Sequence, residues 1–322
     1  MARRATVIND LKKEGKELIT LDAGNTLFKE KGSPSSLERK KAKLIATTYR
    51  RMGYQAVNVG SDDLSAGIEF LRELQGEIHL PLLSANLLGR KGGKPLFKSH
   101  VVFDLGGIRV GVFGLTSDAR HNEGVPPQGY FVADPIATAK RVAAELAKDC
   151  DIIVALSNLG SFKEYCKLVQ QVEGIHFILG SGGKRSHHQT IRSDGCWQAL
   201  LFQVYPKGQY LGRVDLKITK GVRDFVDLRR KVQLEKQINS IERQLESYRK
   251  GTGRAKSISP DKREESIKRL EEYRKKIEAQ LNELEKDSRR NNTFMNTPIH
   301  LDDKVKEDPE IKELVDRFKK GL

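Results

Sequence analysis

Residues 151–157 read DIIVALS, an apolar run without the alternation of a half-exposed strand. A strand of this kind is covered on both faces, which calls for helices layered against a sheet. The flanking text supplies both. ELITLDA (17–23), YQAVNV (54–59), IHLPLLSAN (78–86), HVVFDL (100–105), IRVGVFGLT (108–116) and IHFILG (175–180) read as further strands, and Gly106-Gly107 reads as a hairpin turn between two of them. Helical spacing places Ile8 and Leu11 on one face, Leu64, Ile68 and Leu71 on another, and Ile136, Ala139, Ala143 and Leu146 on a third. Asp134-Pro135 reads as an N-cap followed by proline at the first helical position, and Ser161 caps a helix with Phe162, Tyr165, Val169 and Val172 inward. WQALLFQVYPKGQYLGRVDLKI (197–218) is expected to close a layered α/β domain over 1–220 as a meander turning at Pro206–Gly208.

After Gly221 the texture changes. Leu234, Ile238, Ile241, Leu245 and Tyr248 step by alternating fours and threes, and Ile267, Leu270, Ile277, Leu281 and Leu284 form a second seam that Arg274 interrupts. GTGRAKSISP (251–260) lies between, with Ser259 and Pro260 as N-cap and first residue of the second helix. This spacing predicts an antiparallel helical hairpin over 221–290, with pairing between chains as the alternative. Residues 291–322 read as a polar tail, irregular until a short helix near 309–320.

The net charge is +15, but it is spread along the chain: residues 222–322 hold 26 Lys and Arg against 21 Asp and Glu. Without a dense basic tract a nucleic-acid partner is not expected, and a basic surface that steers an acidic partner is. Cys150, Cys166 and Cys196 lack zinc or haem spacing, and Cys150 and Cys166 read as small buried apolar residues. No apolar run approaches the ~20 residues of a membrane span, and MARRATVINDL lacks the apolar core of a signal peptide.

ARRATVINDL (2–11), LDAGNTLF (21–28), MGYQAVNVGSDDLSAG (52–67), LPLLSANL (80–87), VGVFGLT (110–116), DIIVALSNLG (151–160), FILGSGG (177–183) and YLGRVDLKI (210–218) together resemble the calcineurin-like metallophosphoesterases, in the branch of 5′-nucleotidase and UDP-sugar hydrolase. The resemblance implies a layered α/β/β/α sandwich carrying a two-metal centre at the strands' C-terminal ends, where metals activate a water and polarise a phosphoryl oxygen. That family's pattern has an Asp-x-His on the first strand, then Gly-Asp, Gly-Asn-His-Glu, a later histidine, and Gly-His-x-His. At the corresponding places this chain has Gly24-Asn25, Gly60-Ser61-Asp62-Asp63, Asn158 and Gly180-Ser181-Gly182-Gly183-Lys184, and the first strand is missing before Met1. The resemblance therefore implies a domain degenerate at its ligand positions, without catalytic or metal residues of its own, acting as a binding or scaffolding module whose hairpin is the protein-contact arm. Asn25, Ser61, Asp62, Asp63, Asn158 and Lys184 are the remnant-site candidates. Two alternatives stay open: a metal-dependent phosphoesterase with an atypical site, and a coiled-coil oligomerisation module on a passive platform.

Finer expectations follow. A divalent cation could sit on Asp62 and Asp63 with Asn25, or one of those aspartates could cap the helix starting near Leu64. GSGGKRS (180–186) fails the P-loop pattern, although its amides beside Lys184 and Arg185 could hold an anion, and His187-His188 reads as a surface loop. The resemblance points to an exported multihaem redox protein as a partner, while the chain itself has no CxxCH. A start codon placed too late would account for the missing strand and imply a periplasmic protein; a true start at Met1 implies a cytoplasmic one.

Overall fold

A computed structural model describes residues 1–28, 32–117, 129–181, 187–192, 198–204 and 208–321. They divide into two compact units, Met1–Gly212 with Pro298–Leu322, and Arg213–Thr297.

In the first unit, β1 (Leu21–Asp22), β2 (Ala56–Asn58) and β3 (Leu82–Leu83) form a parallel sheet in that order. Its apolar side chains pack with helices α1 (Ala2–Lys13), α2 (Ser36–Met52) and α3 (Ile68–Glu77) around Ile8, Met52, Leu71 and Leu74. Two short strands, β4 (Leu87–Gly89) and β7 (Tyr130–Val132), pair antiparallel. A second, six-stranded sheet has the order β10 (His187–Arg192), β11 (Gln198–Gln203), β9 (Phe177–Gly180), β8 (Ile152–Ser157), β6 (Ile108–Leu115), β5 (His100–Leu105). DIIVALS supplies β8, buried at every position from Ile152 to Ser157 and parallel to β6 on one side and β9 on the other. Helices α4 (Pro135–Leu146) and α5 (Phe162–Gln171) cover this sheet through Ala139, Val142, Leu168 and Val169. The layered α/β expectation therefore holds.

Local signals account for most boundaries. The β5–β6 turn uses Gly106 (φ 62°) and Gly107 (φ 88°), the left-handed pair a tight hairpin requires. Asp134 accepts the Ala137 N–H at 2.6 Å at the start of α4, and Ser161 accepts that of Glu164 at 3.3 Å at the start of α5. Ser35 and Glu38 form a reciprocal capping box on α2.

In the second unit, α6 (Leu228–Lys250) and α7 (Pro260–Arg290) pack on each other through Leu234, Ile241, Leu245 and Ile277, flanked by Ile238, Ile267, Leu270, Leu281 and Leu284. Lys231 at the start of α6 pairs with Glu285 near the end of α7 at 2.7 Å, and Arg249 at the end of α6 pairs with Glu271 at 2.6 Å. The helices are thus antiparallel, and the predicted seam closes within one chain.

Three expectations are corrected. The meander fails because β12 (Tyr210–Lys217) leaves the sheet of β11 and joins β14 (Asn292–His300) and β13 (Phe225–Asp227). The tail over 291–322 is not irregular at its start: NTFMNTPIH is β14, parallel to β13 with Phe225 opposite Asn292. Its expected final helix is present as α8 (Pro309–Lys320), with Ile311 buried in the core of the first unit and the Asp308 N–H donating to the Ala2 carbonyl at 3.3 Å. Phe162, expected inward, is 48% exposed at the first turn of α5, whose buried face is formed by Tyr165, Leu168 and Val169.

Candidate functional site

Five of the residues singled out from the sequence meet at the C-terminal ends of β1, β2 and β8. β1 runs into Gly24-Asn25 and β2 into Gly60-Ser61-Asp62-Asp63, and the two loops touch. An added Cβ on Gly60 would lie 2.3 Å from the Asn25 nitrogen and 2.1 Å from its Oδ1, so only glycine allows this approach. Asn25 itself is left-handed (φ 58°), a conformation asparagine tolerates better than most residues.

Asp63 is the centre of the junction. One carboxylate oxygen accepts the N–H groups of Thr26 (3.0 Å) and Leu27 (2.8 Å), the other those of Asn25 (2.8 Å) and Gly60 (2.9 Å). The side chain is 2% exposed. Burial pushes its pKa up to about 6, against the opposing pull of the Leu27, Gly60 and Asn25 N–H donors. Asp63 therefore ties the first loop to the second. It does not cap α3, which starts at Ile68 behind Gly67, and Asp62, at the head of the 3-10 turn Asp63–Ala66, makes no side-chain cap bond either.

The amides are similarly engaged. Asn25 Oδ1 accepts the Asp62 N–H at 2.9 Å. Asn158, at the end of β8 and 3% exposed, accepts the Ser61 N–H at 2.8 Å and donates through Nδ2 to Ser181 Oγ at 2.8 Å. Lys184 and residues 182–186 lie outside the described residues. His187 and His188 fall on β10, opposite Gln203 and Phe202, not in a loop.

Sequence reasoning missed a second ring of buried polar residues beneath these loops. Asn58 Nδ2 donates to the Ala23 carbonyl (3.1 Å) in one sheet's loop and to the Leu115 carbonyl (2.9 Å) in the other sheet. Asn86 donates to the Thr116 and Ala133 carbonyls and accepts the Thr116 N–H at 2.8 Å. Thr116 Oγ1 donates to the Val59 carbonyl at 2.7 Å and shares a hydrogen bond with Ser84 Oγ. Asp22 takes the Gly24 N–H (2.9 Å), the Thr26 hydroxyl (2.6 Å) and the Tyr49 hydroxyl (2.9 Å), and Arg4 donates to Tyr49 at 2.8 Å. Burial, then the Asp22 charge, hold the Tyr49 hydroxyl well above its ordinary pKa, so it remains a donor. The available signal was an asparagine or threonine closing an apolar strand run: a buried polar group there must have partners.

A two-metal centre needs convergent oxygens and imidazoles with free lone pairs. Among the described residues no group of three or more His, Cys, Asp or Glu could hold a metal ion. Asn25 Oδ1, both Asp63 oxygens and Asn158 Oδ1 already accept backbone N–H bonds. Among the described residues, these side chains do not assemble a two-metal set of carboxylates and imidazoles.

No protein-family model matches the chain. The 5′-nucleotidase of Vibrio cholerae serotype O1 is 30% identical over 171 residues, covering 51% of this chain and 30% of that protein. The 5′-nucleotidase precursor of Thermus thermophilus superposes with a TM-score of 0.58 at 24% identity, covering 68% of this chain and 45% of that one. The calcineurin-like phosphoesterase YfkN of Bacillus subtilis superposes with a TM-score of 0.55 at 18% identity, over 69% of this chain and 77% of that one. The chain spans less than half the length of the curated relatives it matches. The chain therefore has the fold of the calcineurin-like phosphoesterases and is similar in sequence to 5′-nucleotidases over about half of its length.

Proposed function

We propose that this domain is a catalytically degenerate member of its fold, used as a binding or scaffolding module, with the α6–α7 hairpin as its protein-contact arm. One observation carries the reading: at the positions that resemble the metal site, the Asn25 and Asn158 side-chain oxygens each accept an N–H of another loop, and the two Asp63 oxygens accept four N–H groups between them. Asp63, Asn25 and Asn158 join the loop ends to one another directly, a task that bridging metals perform where they are present. The α6–α7 seam packs within the chain, and the hairpin's outer, charged surfaces are left for contact.

The test is metal analysis of the purified chain by mass spectrometry, with phosphatase assays on AMP and p-nitrophenyl phosphate in the presence of added manganese or zinc. The expected result is no stoichiometric metal and no turnover above the buffer rate. Tightly bound manganese, zinc or iron at one or two equivalents, accompanied by turnover, overturns the proposal.

A further inference from the structure

We propose that the outer edge of β5 pairs antiparallel with the same edge of a second copy of this chain, about a two-fold axis at Val102. The inference goes beyond the binding-module reading and rests on other observations.

β5 ends the six-stranded sheet, and among the described residues no strand pairs with its outer side. Only Lys98, before the strand starts, bridges to Leu83. The Gly114 N–H donates to the Ser99 carbonyl at 3.4 Å, which sets the phase of the ladder: alternation puts the peptide groups of Val101, Phe103 and Leu105 on β6. Those of His100, Val102 and Asp104 therefore face away from β6, and among the described residues they make no backbone hydrogen bond. The register with β6 is continuous from His100 to Leu105, so no bulge turns this edge aside. No proline or lysine lies between those residues either. An edge left in this form is a template for another strand. Most other edges are blunted: β1, β3, β4, β7 and β13 are two or three residues long, and β12 carries Arg213 and Lys217.

The side chains select the occupant. Val102 is 41% exposed. His100 and Asp104 flank it on the same face, because side chains alternate along a strand. In an antiparallel pair centred on Val102, Val102 meets its own copy, and each His100 meets the second copy's Asp104. Both have an atom to spare. Ser99 Oγ engages His100 Nδ1 at 3.0 Å, and the Gly107 N–H engages Asp104 Oδ1 at 2.8 Å, which leaves Nε2 and Oδ2 to meet.

Other arrangements lose this match. Parallel pairing in register sets His100 against His100 and Asp104 against Asp104. A shift of two residues sets His100 or Asp104 against Val102. The two-fold arrangement also closes on itself, because the same patch serves on both copies. A second copy is thus the occupant whose charges match by construction; an unrelated extended peptide would match only through its own sequence.

The test is sedimentation equilibrium of the full chain from micromolar to near-millimolar concentration, with hydrogen exchange of residues 97–107 followed over the same series. A monomer–dimer equilibrium is expected, with exchange in that segment slowing as concentration rises. Val102→Lys puts two ammonium groups on the axis and should weaken the dimer at least about tenfold. His100→Asp opposes carboxylates and should weaken it at least about fivefold, whereas His100→Lys keeps opposite charges facing and should stay within about twofold. Tyr273→Lys, an exposed change on α7, controls for association through the hairpin and should leave the dimer intact. A chain that stays monomeric, equal losses in the two His100 variants, a dimer that survives Val102→Lys, or one that Tyr273→Lys abolishes would each overturn the proposal. If a variant melts early, the unaltered chain decides: dimerisation with slowed exchange in residues 97–107 supports the pairing, and dimerisation without it overturns the pairing. Metal content and phosphatase turnover do not enter these measurements, so their outcome is separable from that of the degenerate-site reading.

Discussion

Asn158 Oδ1 accepts the backbone N–H of Ser61 at 2.8 Å, across 97 residues of sequence. This bond joins the loop after β8 to the loop after β2, and Asn158 Nδ2 extends the link to Ser181 beside β9. Asn158→Ala should remove both bonds and leave a buried N–H without a partner. A loss of about 2–3 kcal/mol in chemical denaturation is expected. A loss below about 0.5 kcal/mol would mean that the loop ends do not depend on the link.

The Asp63 carboxyl titrates near 6 in the folded protein and near 4 when unfolded. A carboxyl with a raised folded pKa binds its proton more tightly when folded. Its contribution therefore turns unfavourable as the pH rises through about 4 to 6, by up to about 3 kcal/mol. Asp63→Asn removes this titration. Denaturation at about pH 4.5 and about pH 7.5 should show the wild type losing stability relative to the variant on going to the higher pH. A difference that does not change with pH would place the folded pKa near its ordinary value.

Gly60→Ala tests the loop junction. The new Cβ would sit 2.3 Å from the Asn25 nitrogen, so backbone must move. A cost above about 2 kcal/mol is expected. Adding Asn25→Gly should relieve the clash with Oδ1 and leave that with the nitrogen, so the double variant should recover only in part.

His79 is left-handed (φ 57°) just after α3 and exposed, with the Leu80 N–H reaching back to the Leu74 carbonyl. Glycine is the residue this helix-ending position favours. His79→Gly should raise stability by about 0.5–1 kcal/mol, the left-handed strain relieved less the entropy of the more flexible unfolded chain. A melting temperature that falls would show that the imidazole has an unrecognised stabilising role.

The first unit is discontinuous, and deletions should respect that. The Leu301 N–H donates to the Gln209 carbonyl at 2.8 Å, which sets the two chain crossings side by side. Replacing 213–297 with a short Gly/Ser linker should leave a cooperatively melting unit. Ending the chain at Thr297 removes Ile311 from the core and the Asp308 bonds to Ala2 and Asn9. That truncation should melt earlier or aggregate; unchanged melting would mean that α8 adds nothing to the core.

The sequence by itself determined what is local. DIIVALS had to be a covered strand because Ile152 to Leu156 are apolar without a break, Gly106-Gly107 had to turn, and Asp134 and Ser161 had to cap, since these depend on neighbours within a few residues. The hairpin followed from a seam repeated over several heptads, and the changed residues at Asn25, Asp62 and Asn158 were visible as text. Only the tertiary structure decided what depends on groups far apart in the chain. NTFMNTPIH becomes a strand because β12 and β13 offer it edges, which its polar composition does not advertise. Phe162, at the first turn of α5, faces outward, while Tyr165, Leu168 and Val169 form the buried face. Asp63 neither caps a helix nor collects free lone pairs: four N–H groups, three of them from a loop more than thirty residues earlier, converge on its two oxygens. Whether a carboxylate is free to meet a ligand is a property of what its oxygens already touch, and that is set by the fold.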